Sequence, residues 1–197
     1  MSHPLYVEAI TELNRLLEEA ARRGEREPRA CALATSGPDA RPSVRIVGVL
    51  RIAESGLAIF VDTRTGKGHQ LQANPHVALC FHWPLLEYQA IVEGNVEWLS
   101  DADSDALWAR QPRDFGLVHW ASDQTAPAES AEQMKARLKE LKRQFDYERV
   151  PRAATWRAFE VKPHRIDIWP SGWERMRARV HYERQADGTW SRSSRNP

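Results

Sequence analysis

Residues 43–61 read SVRIVGVLRIAESGLAIFV. Val44, Ile46, Val47, Val49 and Ile52 make Ser43–Ala53 a strand-like run rich in β-branched side chains. Glu54-Ser55-Gly56 has the chemistry of a hairpin turn, and Leu57–Val61 is a second apolar run. Strands joined by so short a turn pair antiparallel. An antiparallel sheet is therefore expected from early in the chain. Just upstream, Arg29–Ser36 is a run of small apolar residues that ends in a Gly37-Pro38-Asp39 turn. Before it, Ile10, Leu13, Leu17 and Ala20 recur at helical spacing, which predicts an amphipathic helix over 4–23 with Gly24 as its stop.

The same reading continues downstream. A short helix is expected over Gly66–Ala73, ended by Asn74-Pro75. His76–Trp83 and Glu87–Leu99 read as strands with a turn near Pro84, and Gly94 marks a bulge or bend. Ser100-Asp101-Ala102-Asp103 resembles a capping box opening a helix to about Arg110. Met134, Leu138, Leu141 and Phe145 stripe a helix over 129–147; a stripe at this spacing is core, more often than a cofactor contact. Trp156–Val161, Arg165–Trp169, Arg175–Arg184 and Thr189–Arg192 read as closing strands, the last two joined by a Gln185–Gly188 turn. About six to eight short strands with a few helices fit a closed antiparallel barrel with helices outside. With no repeat, low-complexity tract or long linker, 1–197 is expected to be one domain. Residues 1–24 supply an N-terminal helix, 25–100 the barrel core, 101–150 a helical segment and 151–197 the strands that complete the barrel.

Composition bounds the function. Of 197 residues, 42% are hydrophobic and 28% charged, a globular profile. Apolar runs such as Val77–Trp83 are too short to cross a membrane, and Met1-Ser2-His3-Pro4 lacks the basic and apolar regions of a secretory signal. Cys31 and Cys80 lie in apolar runs and read as reduced core thiols, so a cytoplasmic location is expected. The formal net charge of +1 argues against a general nucleic-acid binder. Cations are nonetheless concentrated in 149–197, which holds 11 basic and 5 acidic side chains. Arginine outnumbers lysine 23 to 5, which suits grip on phosphate or carboxylate and is equally explained by GC-rich coding.

General catalytic motifs are absent. Thr65-Gly66-Lys67-Gly68 is not a Walker-type loop: Val61 stands where that motif needs glycine, and Gly68 where it needs Ser or Thr. There is no Gly-x-Ser-x-Gly elbow, and the seven histidines are scattered, so no metal site is expected. What remains is a dispersed set of polar residues: Arg45, Lys67, Gln89, Gln124, Arg175, Arg177 and Arg179. Alternation puts Arg175, Arg177 and Arg179 on one strand face, either solvated or facing an anion, with Trp169 available as a flat wall.

From about Glu27 onward the chain resembles the pyridoxamine phosphate oxidase family of split-barrel flavoproteins. The motifs are Arg41-Pro42-Ser43-Val44-Arg45-Ile46-Val47, Gly66-Lys67-Gly68-His69-Gln70-Leu71 with Asn74-Pro75, and Glu87-Tyr88-Gln89 with Gly94. Arg113-Asp114, Ser122-Asp123-Gln124, Ile166-Asp167-Ile168-Trp169 and Glu174-Arg175-Met176-Arg177-Ala178-Arg179 follow in the family's order. The resemblance implies a mainly β fold with α, an antiparallel, Greek-key-like FMN-binding split barrel with peripheral helices. It also implies a homodimer with FMN at the subunit interface. It places Arg45, Ile46, Val47 and Lys67 on FMN, with Arg45 and Lys67 chiefly at the phosphate. Gln89 and Gln124 match flavin-contacting amides, and Trp169 and Arg179 match C-terminal FMN contacts. Arg175 matches a substrate-facing arginine, and Arg177 stands at a substrate-facing histidine position.

The departures bear on substrate. The namesake enzymes hold a substrate phosphate with Lys, Tyr, Arg and Ser; the matching positions here are Leu50, Leu107, Gln111 and Phe115. Gly66 replaces one arginine of the FMN phosphate pair, and the family's N-terminal arm is largely missing. The expected activity is oxidation of a small amine or reduced nitrogen heterocycle by hydride transfer to flavin, with dioxygen as acceptor. A related branch of the family, the phenazine-forming oxidases, acts on flat substrates without phosphate. The alternatives are a genuine pyridoxamine phosphate oxidase with a remodelled pocket, or a non-catalytic protein that binds FMN or haem.

Overall fold

The computed structural model describes residues 2–122, 130–146, 148–170 and 179–196. Two compact units emerge: 1–59, 70–97 and 159–197 form one, and 60–69 with 98–158 the other.

The first unit opens with α1 (Pro4–Arg22), whose N-terminus is capped by the His3 side chain accepting from Leu5 N at 3.3 Å. Gly24, at φ +91°, ends the helix, and Glu25 N returns to Ala20 O. The buried stripe of α1, including Ala9, Leu13, Leu16 and Ala20, packs against strands of the sheet. The strands of the sheet are β1 (Ala30–Ser36), β2 (Pro42–Gly48), β3 (Arg51–Ala53), β4 (Gly56–Asp62), β5 (His76–Trp83), β6 (Tyr88–Trp98), β7 (Trp156–Pro170), β8 (Arg179–Arg184) and β9 (Trp190–Arg195), and α1 lies against β3, β8 and β9. Their order is β2-β1-β5-β6-β7-β4-β3, with β8 also on β7 and β9 on β8. Every ladder with a described register is antiparallel.

Several expectations change. No ladder among the described residues joins β2 to β3, so the sheet is split, not closed. The 43–53 run is two strands: Val49 N donates to Arg29 O and Leu50 N to Ala58 O, so the chain changes partners between β2 and β3. Gly94 makes no bulge on its β5 side, where pairing runs unbroken from His76–Asn95 to Trp83–Tyr88. Glycine is required there because a Cβ would strike the Lys162 carbonyl of β7. The two strands expected over 156–169 are the single β7, which runs through Pro163.

The second unit carries α3 (Asp101–Trp108), α4 (Arg113–Ala121), α5 (Ala131–Gln144) and the first residues of α2 (Gly66–Ala73). Ser100 caps α3 by accepting from Asp103 N, but the carboxylate of Asp103 bonds to the Ser100 hydroxyl, so the box is only half made. The full capping box is Ser130 with Gln133, on α5. Helix α4 was not expected. The α5 stripe does form core: Leu141 is buried with Leu117, Ala121 and Val150, and Met134, Leu138 and Phe145 pack around them.

Candidate functional site

Arg45 lies on β2, an edge strand, opposite Leu33 of β1. Its Nη1 donates to Leu33 O at 3.1 Å and Thr35 Oγ1 at 2.6 Å. Its Nη2 donates to Ser43 Oγ at 2.8 Å and Gln70 Oε1 at 3.3 Å. Thr35, almost fully buried, donates in turn to Gln70 Oε1. All four acceptors are neutral. Among the described residues no carboxylate pairs with this guanidinium, and burial pulls its pKa down. A partly desolvated cation held by dipoles alone is a site that favours an anion. Ile46 and Val47 follow Arg45 on β2; Val44 and Ile46, on either side of it, share the opposite strand face and are each 68% exposed.

Trp169 and Arg179 meet across the β7–β8 ladder. The Arg179 guanidinium sits 5.3 Å from the Trp169 ring centroid. The same guanidinium forks onto buried Asp167, with Nε–Oδ1 at 3.0 Å and Nη2–Oδ2 at 2.5 Å. Burial alone would raise the Asp167 pKa, but hydrogen bonds from Arg179 and His181 and the charges of Arg179 and Arg165 hold it below its ordinary value. Trp169 Nε1 is buried and finds no acceptor among the described residues. Gln89 lies on β6 opposite His82, and its amide makes no hydrogen bond among the described residues. No described contact joins Arg45 to Trp169 or Arg179. Gln124, Arg175 and Arg177 lie outside the described residues.

In the second unit, Lys67 is the second residue of α2. The turn before it is tight: Thr65 Oγ1 donates to Asp62 O at 2.7 Å and accepts from Gly68 N at 3.3 Å. A Cβ on Gly68 would lie 2.6 Å from Thr63 O and 2.7 Å from Asp62 O, so this turn admits only glycine. Gly66, by contrast, has open space where a side chain would stand.

The same unit contains three of the four altered substrate-phosphate positions. Leu107 is buried, and the Gln111 amide turns back to donate to Leu107 O at 3.2 Å. Phe115 joins an aromatic cluster, 5.5 Å from Trp108, 6.4 Å from Phe60 and 4.0 Å from His119 between ring centroids. Trp156 closes on His119 at 4.1 Å. His119 Nδ1 lies 2.6 Å from Phe115 O; a carbonyl only accepts, so Nδ1 carries the hydrogen. Burial lowers the His119 pKa, the Lys67 charge adds to this, and the Phe115 bond opposes it. Leu50, in the first unit, is half-buried and donates its backbone N–H to Ala58 O.

These residues fit FMN. Arg45 is a cation in need of an anion, and the indole N–H of Trp169 is a buried donor in need of an acceptor. Thr35 and Gln70, which orient Arg45, escape sequence reasoning because they lie on other elements. Asp167 left a signal, a lone carboxylate between Ile166 and Ile168, whereas His181 and His119 left none.

Comparison with known proteins places the chain. The pyridoxamine 5'-phosphate oxidase family model matches residues 17–170. The chain is 41% identical to a pyridoxine/pyridoxamine 5'-phosphate oxidase of Rubrobacter xylanophilus, over 95% of this chain and 86% of the relative. It is 40% identical to a protein of the same description from Anaeromyxobacter dehalogenans, over 87% of each. Among solved structures it is similar to PhzG from Burkholderia lata in complex with tetrahydrophenazine-1-carboxylic acid. The TM-score there is 0.86 at 26% identity, covering 100% of this chain and 98% of that one. The fold also matches an FMN binding protein of Nostoc punctiforme, with TM-score 0.75 at 19% identity and full coverage of both chains. The fold is thus the antiparallel split β-barrel with peripheral helices, and the chain belongs to the pyridoxamine 5'-phosphate oxidase family.

Proposed function

We propose that this protein is an FMN-dependent oxidase whose substrate is a flat, non-phosphorylated amine or reduced nitrogen heterocycle. FMN, when bound, would supply the redox chemistry, hydride acceptance from a C–N centre of the substrate with dioxygen as the final acceptor. Arg45 and Lys67 hold the FMN phosphate, and Gln89, Gln124, Trp169 and Arg179 hold the rest of the cofactor. Arg175 and Arg177 face the substrate, where paired guanidinium donors suit a carboxylate. Two copies form the working unit; Val44 and Ile46, exposed on edge strand β2, are an apolar strip that a second copy would cover.

The observation that carries this reading is the state of positions 107, 111 and 115. Leu107 is buried, Gln111 is spent on a backbone carbonyl, and Phe115 lies within an aromatic cluster. A phosphate dianion leaving water must regain strong donors; Leu107 and Phe115 offer none, and Gln111 offers only the remaining N–H of a neutral amide. The likeness to PhzG, whose structure holds a carboxylated tetrahydrophenazine, supports the same substrate chemistry. A second reading, a genuine pyridoxine/pyridoxamine phosphate oxidase, is favoured by the descriptions of the relatives near 40% identity.

The test is peroxide release by the purified protein with saturating FMN. Pyridoxamine phosphate, pyridoxine phosphate and a reduced phenazine carboxylate are compared. A catalytic efficiency on either phosphate ester of about 10⁴ M⁻¹s⁻¹ or more would establish the second reading instead. An absorption spectrum with a Soret band and no flavin bands would overturn both.

A further inference from the structure

We infer that Asp167 is a positioning residue for the cofactor contact made by Arg179, and that His181 fixes Asp167 in that role. This rests on the FMN reading above. The carboxylate of Asp167 is a saturated hub. Oδ1 accepts from Arg179 Nε at 3.0 Å and His181 Nδ1 at 2.7 Å. Oδ2 accepts from Arg179 Nη2 at 2.5 Å and Arg165 Nε at 2.9 Å. Four donors exhaust the strong acceptor sites of one carboxylate. Asp167 is 1% exposed, so it has neither access nor spare capacity to act on a ligand directly. What it does is aim Arg179. Two of that guanidinium's nitrogens are tied to Asp167, its carbon lies over Trp169, and Nη1 makes no hydrogen bond among the described residues.

His181 locks the hub from the facing strand, since the ladder pairs Asp167 directly with His181. Its Nε2 lies 2.8 Å from Arg195 Nη2 on β9. A guanidinium can only donate, so Nε2 accepts and the imidazole hydrogen sits on Nδ1, directed at Asp167. Arg195 therefore sets the tautomer, the tautomer holds the carboxylate, and the carboxylate holds Arg179. Glu183 Oε2, 3.3 Å from the same Nε2, is the competing partner that a hydrogen on Nε2 would select.

Glu160 provides a control within the same unit. It is 2% exposed and bonded to Arg51, Ser55 and Lys162, so it too is a buried carboxylate in a cationic network. None of its partners matches a flavin contact. The experiment is a double-variant cycle on the full chain, reading the FMN dissociation constant by flavin fluorescence quenching and the melting temperature of the flavin-free protein. Arg179→Met is expected to raise the FMN dissociation constant roughly tenfold or more. Asp167→Asn should raise it by a similar factor, and the double variant no further than Arg179→Met alone. Glu160→Gln should lower the melting temperature while leaving FMN affinity within about twofold. Should Asp167→Asn fail to fold, His181→Leu replaces it, with a loss of about threefold or more in the parent and none beside Arg179→Met. Losses that simply add, or an Asp167→Asn protein that binds FMN normally while Arg179→Met does not, overturn the positioning role. If Arg179→Met itself binds FMN with parental affinity, the FMN assignment of this corner falls, and the inference with it.

Discussion

Arg45→Met separates a binding cation from a structural one. In the folded chain Arg45 spends four hydrogen bonds on neutral acceptors, and burial already disfavours its charge. Removing it leaves little unsatisfied: Thr35 still donates to Gln70 at 2.6 Å, and Ser43 lies on an edge strand with solvent access. The chief loss is one donor to Leu33 O, about 0.5–1.5 kcal/mol, offset by no longer desolvating a cation without a counter-ion. Stability of the flavin-free protein should thus change by no more than about 1 kcal/mol in either direction. A charge-assisted contact to the FMN phosphate is worth about 1.5–3 kcal/mol, so FMN affinity should fall roughly 10- to 150-fold. Riboflavin lacks the phosphate, and its affinity should stay within about threefold of the parent's. Flavin fluorescence quenching with both ligands, beside urea denaturation of the flavin-free protein, measures all three quantities. A variant that loses FMN and riboflavin equally, or one destabilised by several kcal/mol, would show that Arg45 holds the sheet edge and not the phosphate.

Three further outcomes follow from the geometry. Gly66→Arg restores the missing partner of the phosphate pair into open space, and should tighten FMN roughly tenfold without tightening riboflavin, as read in the same titration. Returning donors to the altered positions as Leu107→Tyr, Gln111→Arg and Phe115→Ser should raise turnover of pyridoxamine phosphate by at least about tenfold in the peroxide assay; no gain would place the substrate phosphate elsewhere. The pKa of His119 is lowered in the folded chain, so the unfolded chain binds the extra proton first. This contribution to stability is present above the ordinary value of 6.5 and is lost as pH falls through the lower folded value. Urea midpoints recorded across the acidic range should accordingly drop less steeply for His119→Phe than for the parent.

How much of this was legible in the sequence depends on whether the cause was local. The hairpin turn at 54–56, the α1 stripe and the α5 stripe each carry their signal within a short stretch of chain, and each is found. Helix α4, not expected from the sequence, follows Pro112 and contains Gly116. Pro112 proves to be its N-cap, and Gly116 is there because a Cβ would come within 3.0 Å of Val150. The gap expected between Val161 and Arg165 contains Pro163, and pairing on both sides of β7 carries one strand through it.

The candidate site divides the same way. Arg45, Lys67, Gln89, Trp169 and Arg179 could be named because each stands in a short motif whose order along the chain resembles a family. What each residue leans on is set by register. Asp167 meets His181 because β7 and β8 pair at that step, and a slip of one residue would turn Asp167 to the other face, away from Arg179 and His181. Arg45 reaches Gln70 only because a helix begins four residues earlier at Gly66. Residue type announces what charge a position can offer a cofactor; whether that charge is neutralised by a neighbour or left for the ligand is decided by strands far apart in sequence. Arg45 and Arg179 make the contrast within one unit. Arg179 is tied in part to Asp167, whereas among the described residues Arg45 has no carboxylate partner; in the function proposed above, the first would serve through aim and the second through charge.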